Sequence, residues 1–349
     1  MTTTAKSQNL NWINSLRLIA LFAVIVLHTT AIPLGQYGKI PLNDWLTADF
    51  YNALVRFAVP VFVMITGALL LHREYELGDF LKKRLGRVLA PFLFWSLVYI
   101  AYSWYNEEFV FDTSSVWSAV KPVLRLLKVG SSYHLWYVYM LIGLYFFIPV
   151  ISKFVRAASK REIEYFLIVW LVVMLLTQPY LLKFNPQFDM HYFVGYAGYL
   201  VLGHYLTFNV TYSKQLNRGM YILFVVVLVL IFAGTYLLYK NSIYQTLLYE
   251  PLNPAIVLMA SSLFLMLRFS KRRAPAFITK ARDFACRYNF GIYLSHALIL
   301  YLLEMIDINY KLCDLWLSIP LTAFLCFLLS LLLVWLLDKL PFIGKWIAG

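Results

Sequence analysis

Charged residues cut this chain into ten long uncharged stretches, and no other feature limits its fold so strongly. They lie between Arg17 and Lys39, Arg56 and Arg73, Arg87 and Glu107, Lys128 and Lys153, and Glu164 and Lys183. The rest lie between Asp189 and Lys214, Arg218 and Lys240, Glu250 and Arg268, Arg287 and Glu304, and Asp314 and Asp338. Each is close to the ~20 apolar residues a helix needs to cross a ~30 Å hydrocarbon core. A transmembrane barrel would instead show short alternating segments. The expected spans are 12–36, 54–71, 88–106, 133–152, 164–182, 190–208, 218–239, 251–267, 288–304 and 315–337. Composition agrees: 13% of residues are charged, against about a quarter in a soluble domain, and 62% are hydrophobic. The chain reads as an all-α polytopic membrane protein of ten transmembrane helices, a single membrane domain over 1–349.

An even number of spans puts both termini on one side. That side carries 21 of the 30 Lys and Arg residues, the opposite side seven, and Arg17 and Arg56 lie in or near spans. The positive-inside bias therefore places both termini in the cytoplasm. It also accounts for most of the net charge of +13, so the basic balance does not point to nucleic acid as a partner. The first apolar run is too long for a signal-peptide core and lacks a small-residue cleavage pattern, so it reads as a permanent span. Cys286, Cys313 and Cys326 are scattered, without disulfide or zinc spacing.

Ionisable groups inside a span are costly and usually face a cavity or a partner. The first span holds Arg17 and His28, 11 residues apart. At 100° per residue they fall within ~20° of one another around the helix, about 16 Å apart along it. Arg17 then lies toward the cytoplasm and His28 toward the outer leaflet. Two readings remain open for each. Arg17 faces a groove or snorkels to the headgroups, and His28 faces the same groove or binds a backbone carbonyl at the interface. His134 opens the fourth span near the outer face, and His296 lies about midway along the ninth. A histidine pKa near ~6.5 suits proton transfer at neutral pH. His72, His191 and His204 fall at helix ends and read as structural. No local spacing suggests a metal, and none is expected. The basic inner loops could hold a phosphorylated ligand, although topology already requires their charge.

Several stretches together resemble the integral-membrane acyltransferase 3 family. Asn14-Ser-Leu-Arg-Leu-Ile-Ala, running on to His28, looks like the family's opening helix. Val59-Pro-Val-Phe-Val-Met-Ile-Thr-Gly-Ala-Leu-Leu resembles its second helix, with Thr66 where Ser is usual. Lys83-Arg-Leu-Gly-Arg-Val-Leu-Ala-Pro-Phe-Leu-Phe-Trp matches the basic entry to the third. His134-Leu-Trp-Tyr looks like the His-Leu-Trp segment, and Asn289-Phe-Gly-Ile-Tyr-Leu-Ser-His like the late Phe-Gly-Ile-Tyr-Leu-Ile-His-Pro element, with Ala297 replacing its Pro. The Asp common before the first-helix Arg is absent.

The resemblance implies transfer of an acyl group, most often acetyl, from cytoplasmic acyl-CoA to a hydroxyl of a lipid-linked or exported glycan. The chain is similar to compact members that modify polysaccharides at the inner (cytoplasmic) membrane. In this reading Arg17, Arg84, Arg87, Arg272 and Arg273 bind the CoA phosphates, and His28 is the general base. His134 orients the acceptor or stabilises the oxyanion. Thr66, Trp136, Tyr293 and His296 shape the pore or hold the acceptor. Acetyl-CoA or another acyl-CoA is the donor, the glycan and the lipid bilayer are partners, and nucleic acid is not. The rival is a polysaccharide or lipid exporter without acyl chemistry. The lack of a detectable internal repeat counts against it.

Overall fold

The computed structural model describes residues 11–107, 115–184, 195–271 and 274–349. Every regular element among them is helical. In chain order they are α1 (Asn11–Thr29), α2 (Ala31–Leu34), α3 (Leu42–Val55), α4 (Ala58–Leu70), α5 (Leu77–Tyr105), α6 (Val116–Val129), α7 (Trp136–Ala157) and α8 (Lys160–Leu176). Then follow α9 (Ala197–Phe208), α10 (Lys214–Lys240), α11 (Pro254–Arg268), α12 (Ala276–Arg287), α13 (Asn289–Met305), α14 (Leu315–Asp338) and α15 (Gly344–Ile347). Local chemistry sets several starts. Ser159 and Glu162 form a capping box on α8, Ser213 Oγ accepts from Leu216 N at α10, and Asn253 caps α11 with Pro254 behind it.

Seven helical segments among the described residues are long and apolar enough to cross a membrane, with α3 and α4 counted together as Leu42–Leu70. The expected ten also include α8, α9 and α13, which have 17, 12 and 17 residues and fall below that length. One helix was hidden by its charges. Asp44, Asp49 and Arg56 break the uncharged run before the second expected span, yet α3 forms there and leads into α4. α10 turns Ile222, Val225, Val226, Val229 and Leu230 outward, an apolar surface suited to lipid.

The chain divides into two compact units. Unit 1 comprises 1–74, 147–287 and 307–324. There α1 packs against α3, α4, α11 and α12, and α4 crosses α9 at close range. A Cβ at Gly67 would stand 1.9 Å from Leu200 O, and one at Gly203 would stand 2.1 Å from Met64 O. The two glycines let the backbones touch, as small residues do between membrane helices. Unit 2 comprises 75–146, 288–306 and 325–349, with α5 packed on α13 and α15. Trp95 Nε1 donates to Ile347 O (3.2 Å), and Tyr99 OH donates to Leu294 O (2.7 Å).

Candidate functional site

Arg17 and His28 lie on one unbroken helix, α1, so their spacing of about three turns places them on one stripe. Between them on that stripe are Leu21 and Val24, 0% and 3% exposed. The stripe therefore faces the interior of unit 1 rather than lipid, and Arg17 and His28 are half-buried at its two ends. The helix α12 closes over the Arg17 end. Arg282 Nη1 donates to Asn11 O (3.1 Å) and Ser15 Oγ (3.2 Å). Asn14 Nδ2 donates to Asp283 Oδ1 (3.2 Å), and Cys286 Sγ donates to Asn14 O (3.3 Å). The hydrogen bond from Arg282 holds the Asp283 carboxyl below its ordinary value. Burial pushes the Cys286 thiol up, against the opposing pull of the nearby Arg17 and Arg282 charges.

A polar network that sequence reasoning missed anchors the His28 end. Asn52 Nδ2 donates to Thr30 Oγ1 (2.7 Å) and reaches Leu27 O (3.5 Å), the residues flanking His28. Arg56 donates to Asn52 Oδ1 and to Tyr249 O (3.2 Å), with its guanidinium 3.9 Å above the Tyr249 ring centre. Tyr249 OH in turn donates to Asp49, which is fully buried. Arg56 was visible in the sequence as a charge in or near a span. Asp49 was the available signal, since an acid seven residues before it on a helix shares its face. Thr66, also in unit 1, donates its hydroxyl to Phe62 O of its own helix (2.9 Å).

The structure gathers three other expected residues in unit 2. His134 and His296 meet edge to face, ring centres 4.9 Å apart, and Tyr293 OH donates to His134 O (2.5 Å). His134 Nε2 faces Leu294 O (3.3 Å) and Nδ1 faces Ser132 Oγ (3.1 Å). A carbonyl only accepts, so Nε2 carries the hydrogen in the neutral ring. His296 Nδ1 likewise donates to Tyr293 O (2.5 Å). All three side chains are buried, whereas the neighbouring Trp136 is 42% exposed. Arg84 and Arg87 stand near Tyr145, and Arg84 also lies above the Phe80 ring. Some 15 residues of α5, about 22 Å of helix, separate Arg84 from Tyr99 beside His134. Arg272, Arg273 and His191 lie outside the described residues. Among the described residues no three His, Cys, Asp or Glu side chains converge as a metal site.

What unit 1 offers chemically is a cation and an imidazole on one inward stripe, with a basic amphipathic helix over the cation. No curated protein and no solved structure matches the chain. A family model described as an acyltransferase domain, acyltransferase 3, does match, over residues 10–339. With that match running almost end to end, and seven of the described helical segments long and apolar enough to cross a membrane, the protein belongs to the acyltransferase 3 family.

Proposed function

We propose that this protein is an O-acyltransferase of the inner membrane. It moves an acyl group, most often acetyl, from cytoplasmic acyl-CoA to a hydroxyl of a cell-surface or lipid-linked glycan. The family supplies the reaction class. The observation that carries the assignment of residues is the inward stripe of α1, with Arg17 at one end and His28 at the other. In this reading the ten apolar stretches form one membrane domain over 1–349, both termini are cytoplasmic, and the Arg17 end faces the donor pool. Arg17 grips a CoA phosphate as a planar fork, which a point charge cannot reproduce. Arg84, Arg87, Arg272 and Arg273 add positive charge for the nucleotide. The acyl end then lies along α1 toward His28, about 16 Å away.

His28 takes the proton from the acceptor hydroxyl as its oxygen attacks the thioester carbonyl. The carbon–sulfur bond breaks, and CoA leaves as a thiolate that is protonated in turn. General-base help of this kind is worth about 10²–10⁴-fold in rate. His134 orients the acceptor or steadies the oxyanion. Its Nε2–H is engaged with Leu294 O and must leave that bond to reach a reacting oxygen, so the base role rests on His28. In this proposal Thr66 in one unit, and Trp136, Tyr293 and His296 in the other, shape the pore or hold the acceptor. Family membership and the absence of a detectable repeat weigh against an exporter without chemistry.

Radiolabelled acetyl-CoA with the purified protein and a panel of glycan acceptors tests the reading. Transfer of label to glycan is expected in the wild type. In His28→Ala transfer falls at least a hundredfold, with expression and membrane insertion unchanged. Retention of more than a tenth of wild-type transfer would remove His28 from the base role.

A further inference from the structure

A cleft of 530 Å³ opens in unit 1 where the start of α3 meets the start of α14. Its volume falls within the ~300–1,000 Å³ of small-molecule sites. Asn43, Asp44, Thr47 and Phe50 form one stripe of α3 along its wall, and Asp314 and Trp316 stand across from them. Phe232 of α10 completes the apolar side. The Trp316 ring is held in place yet open. Tyr51 OH donates to Trp316 O (2.8 Å), and Trp316 N donates to Asp314 Oδ1 (2.9 Å). Phe50 and Tyr51 pack on its ring at 5.4 and 5.6 Å, and 53% of the residue stays exposed. Aromatic residues such as this can mark a membrane interface. An interface alone does not require two carboxylates, a carboxamide and a hydroxyl around the same rings.

We propose that this cleft binds a neutral saccharide, the acceptor's non-reacting sugar. The apolar C–H face of a pyranose lies on the exposed Trp316 ring, with the Phe50 ring, tilted 51° to it, closing the side. Its equatorial hydroxyls donate to the carboxylates of Asp44 and Asp314, and Asn43 and Thr47 supply further partners. Charge-assisted hydrogen bonds of this type are roughly twice as strong as neutral ones. No Lys, Arg or His lines the cleft, so phosphate, uronate and CoA are repelled from it. The assignment of this sugar as acceptor rests on the acyl-transfer reading above. In that topology Asp44 follows the first span and Asp314 follows the ninth, so both are on the outer side.

The test is binding of the purified protein in nanodiscs to immobilised glycans: neutral oligosaccharides, uronate-containing ones and a phosphocholine-bearing one. The wild type should retain at least one neutral glycan. Trp316→Ala and Asp44→Asn should each weaken that binding at least tenfold, while Trp316→Tyr, which keeps a stacking ring, stays within threefold. If neutral glycan binds and label never moves from acyl-CoA, the acyl-transfer reading fails and the cleft stands. The cleft assignment is overturned if no neutral glycan is retained, or if Trp316→Ala retains it fully. Preference for uronate or phosphocholine glycans overturns it equally.

Discussion

Among single residues, Asp49 and Arg56 stand out as opposite charges within Leu42–Leu70, a helical segment long and apolar enough to cross a membrane. A charge at that depth persists when it is paired and hydrogen-bonded. Asp49 is fully buried and takes the Tyr249 hydroxyl, and Arg56 divides its donors between Asn52 and the Tyr249 carbonyl while lying near Asp49. Removing one partner strands the other charge. Arg56→Ala should therefore destabilise the protein by about 1–3 kcal/mol, the usual cost of leaving buried hydrogen-bond partners unsatisfied, here Asn52 Oδ1 and Tyr249 O. Arg56→Ala with Asp49→Asn should recover part of that loss, because the Asn carbonyl still accepts from Tyr249 and no charge is stranded. Thermal unfolding in detergent reads both. A double variant no more stable than Arg56→Ala would mean that Asp49 carries no charge in the folded protein. The same network holds Leu27 and Thr30, so the single variant should also lower acyl transfer through the placement of His28.

Individual helices connect these residues to the two ends of α1. The docking of α12 on the first turns of α1 makes Cys286 a native reporter of the Arg17 environment. Its raised thiol pKa predicts that alkylation requires more alkaline pH than for an ordinary thiol. In Arg17→Ala the labelling midpoint should move further up, since the guanidinium pulls it down. If Arg17 grips a CoA phosphate, acyl-CoA slows Cys286 labelling in the wild type and not in Arg17→Ala, and calorimetry gives weaker binding in Arg17→Lys and weaker still in Arg17→Ala. Labelling that ignores acyl-CoA would leave Arg17 as an anchor for α12 alone. The α1 stripe was legible in the sequence, because 11 residues is nearly three turns whatever surrounds the helix. The docking of α12 was not, because its basic residues served the sidedness count equally well. Nor was α3, whose Asp44 and Asp49 lower hydropathy, although burial and the Tyr249 hydroxyl offset the cost at Asp49. The meeting of His134 with His296 joins residues 162 positions apart, and no local pattern encodes such a contact.

At the scale of the whole molecule, several hydrogen bonds within each unit join ends that the charge pattern assigns to one side. In unit 1, Arg268 Nη1 donates to Leu206 O and Val210 O, and Ser152 Oγ donates to Leu71 O and Arg73 O, all at ends assigned to the cytoplasm. At the opposite ends, Tyr310 OH donates to Gln36 Oε1, Gln178 Nε2 donates to Leu252 O, and Tyr199 OH donates to Pro251 O. Unit 2 behaves alike, with Tyr288 OH on Asp338 at one end and Tyr102 stacked on Tyr301 at the other. The sorting of these pairs is what the loop assignment from the charge pattern leads one to expect. It does not by itself say which side is cytoplasmic. The cysteines can. Cys313 is exposed in a loop that the charge pattern assigns to the outside, Cys286 is half-buried at an end it assigns to the cytoplasm, and Cys326 is fully buried. A membrane-impermeant maleimide added to intact cells should therefore label Cys313 and leave Cys286 until the membrane is opened, with Cys326 silent throughout. Cys313→Ser should abolish the first signal, and Cys286→Ser the second. Labelling of Cys286 in sealed cells would invert the topology, put His28 rather than Arg17 at the cytoplasmic end, and leave a cytoplasmic acyl-CoA at the wrong end of α1.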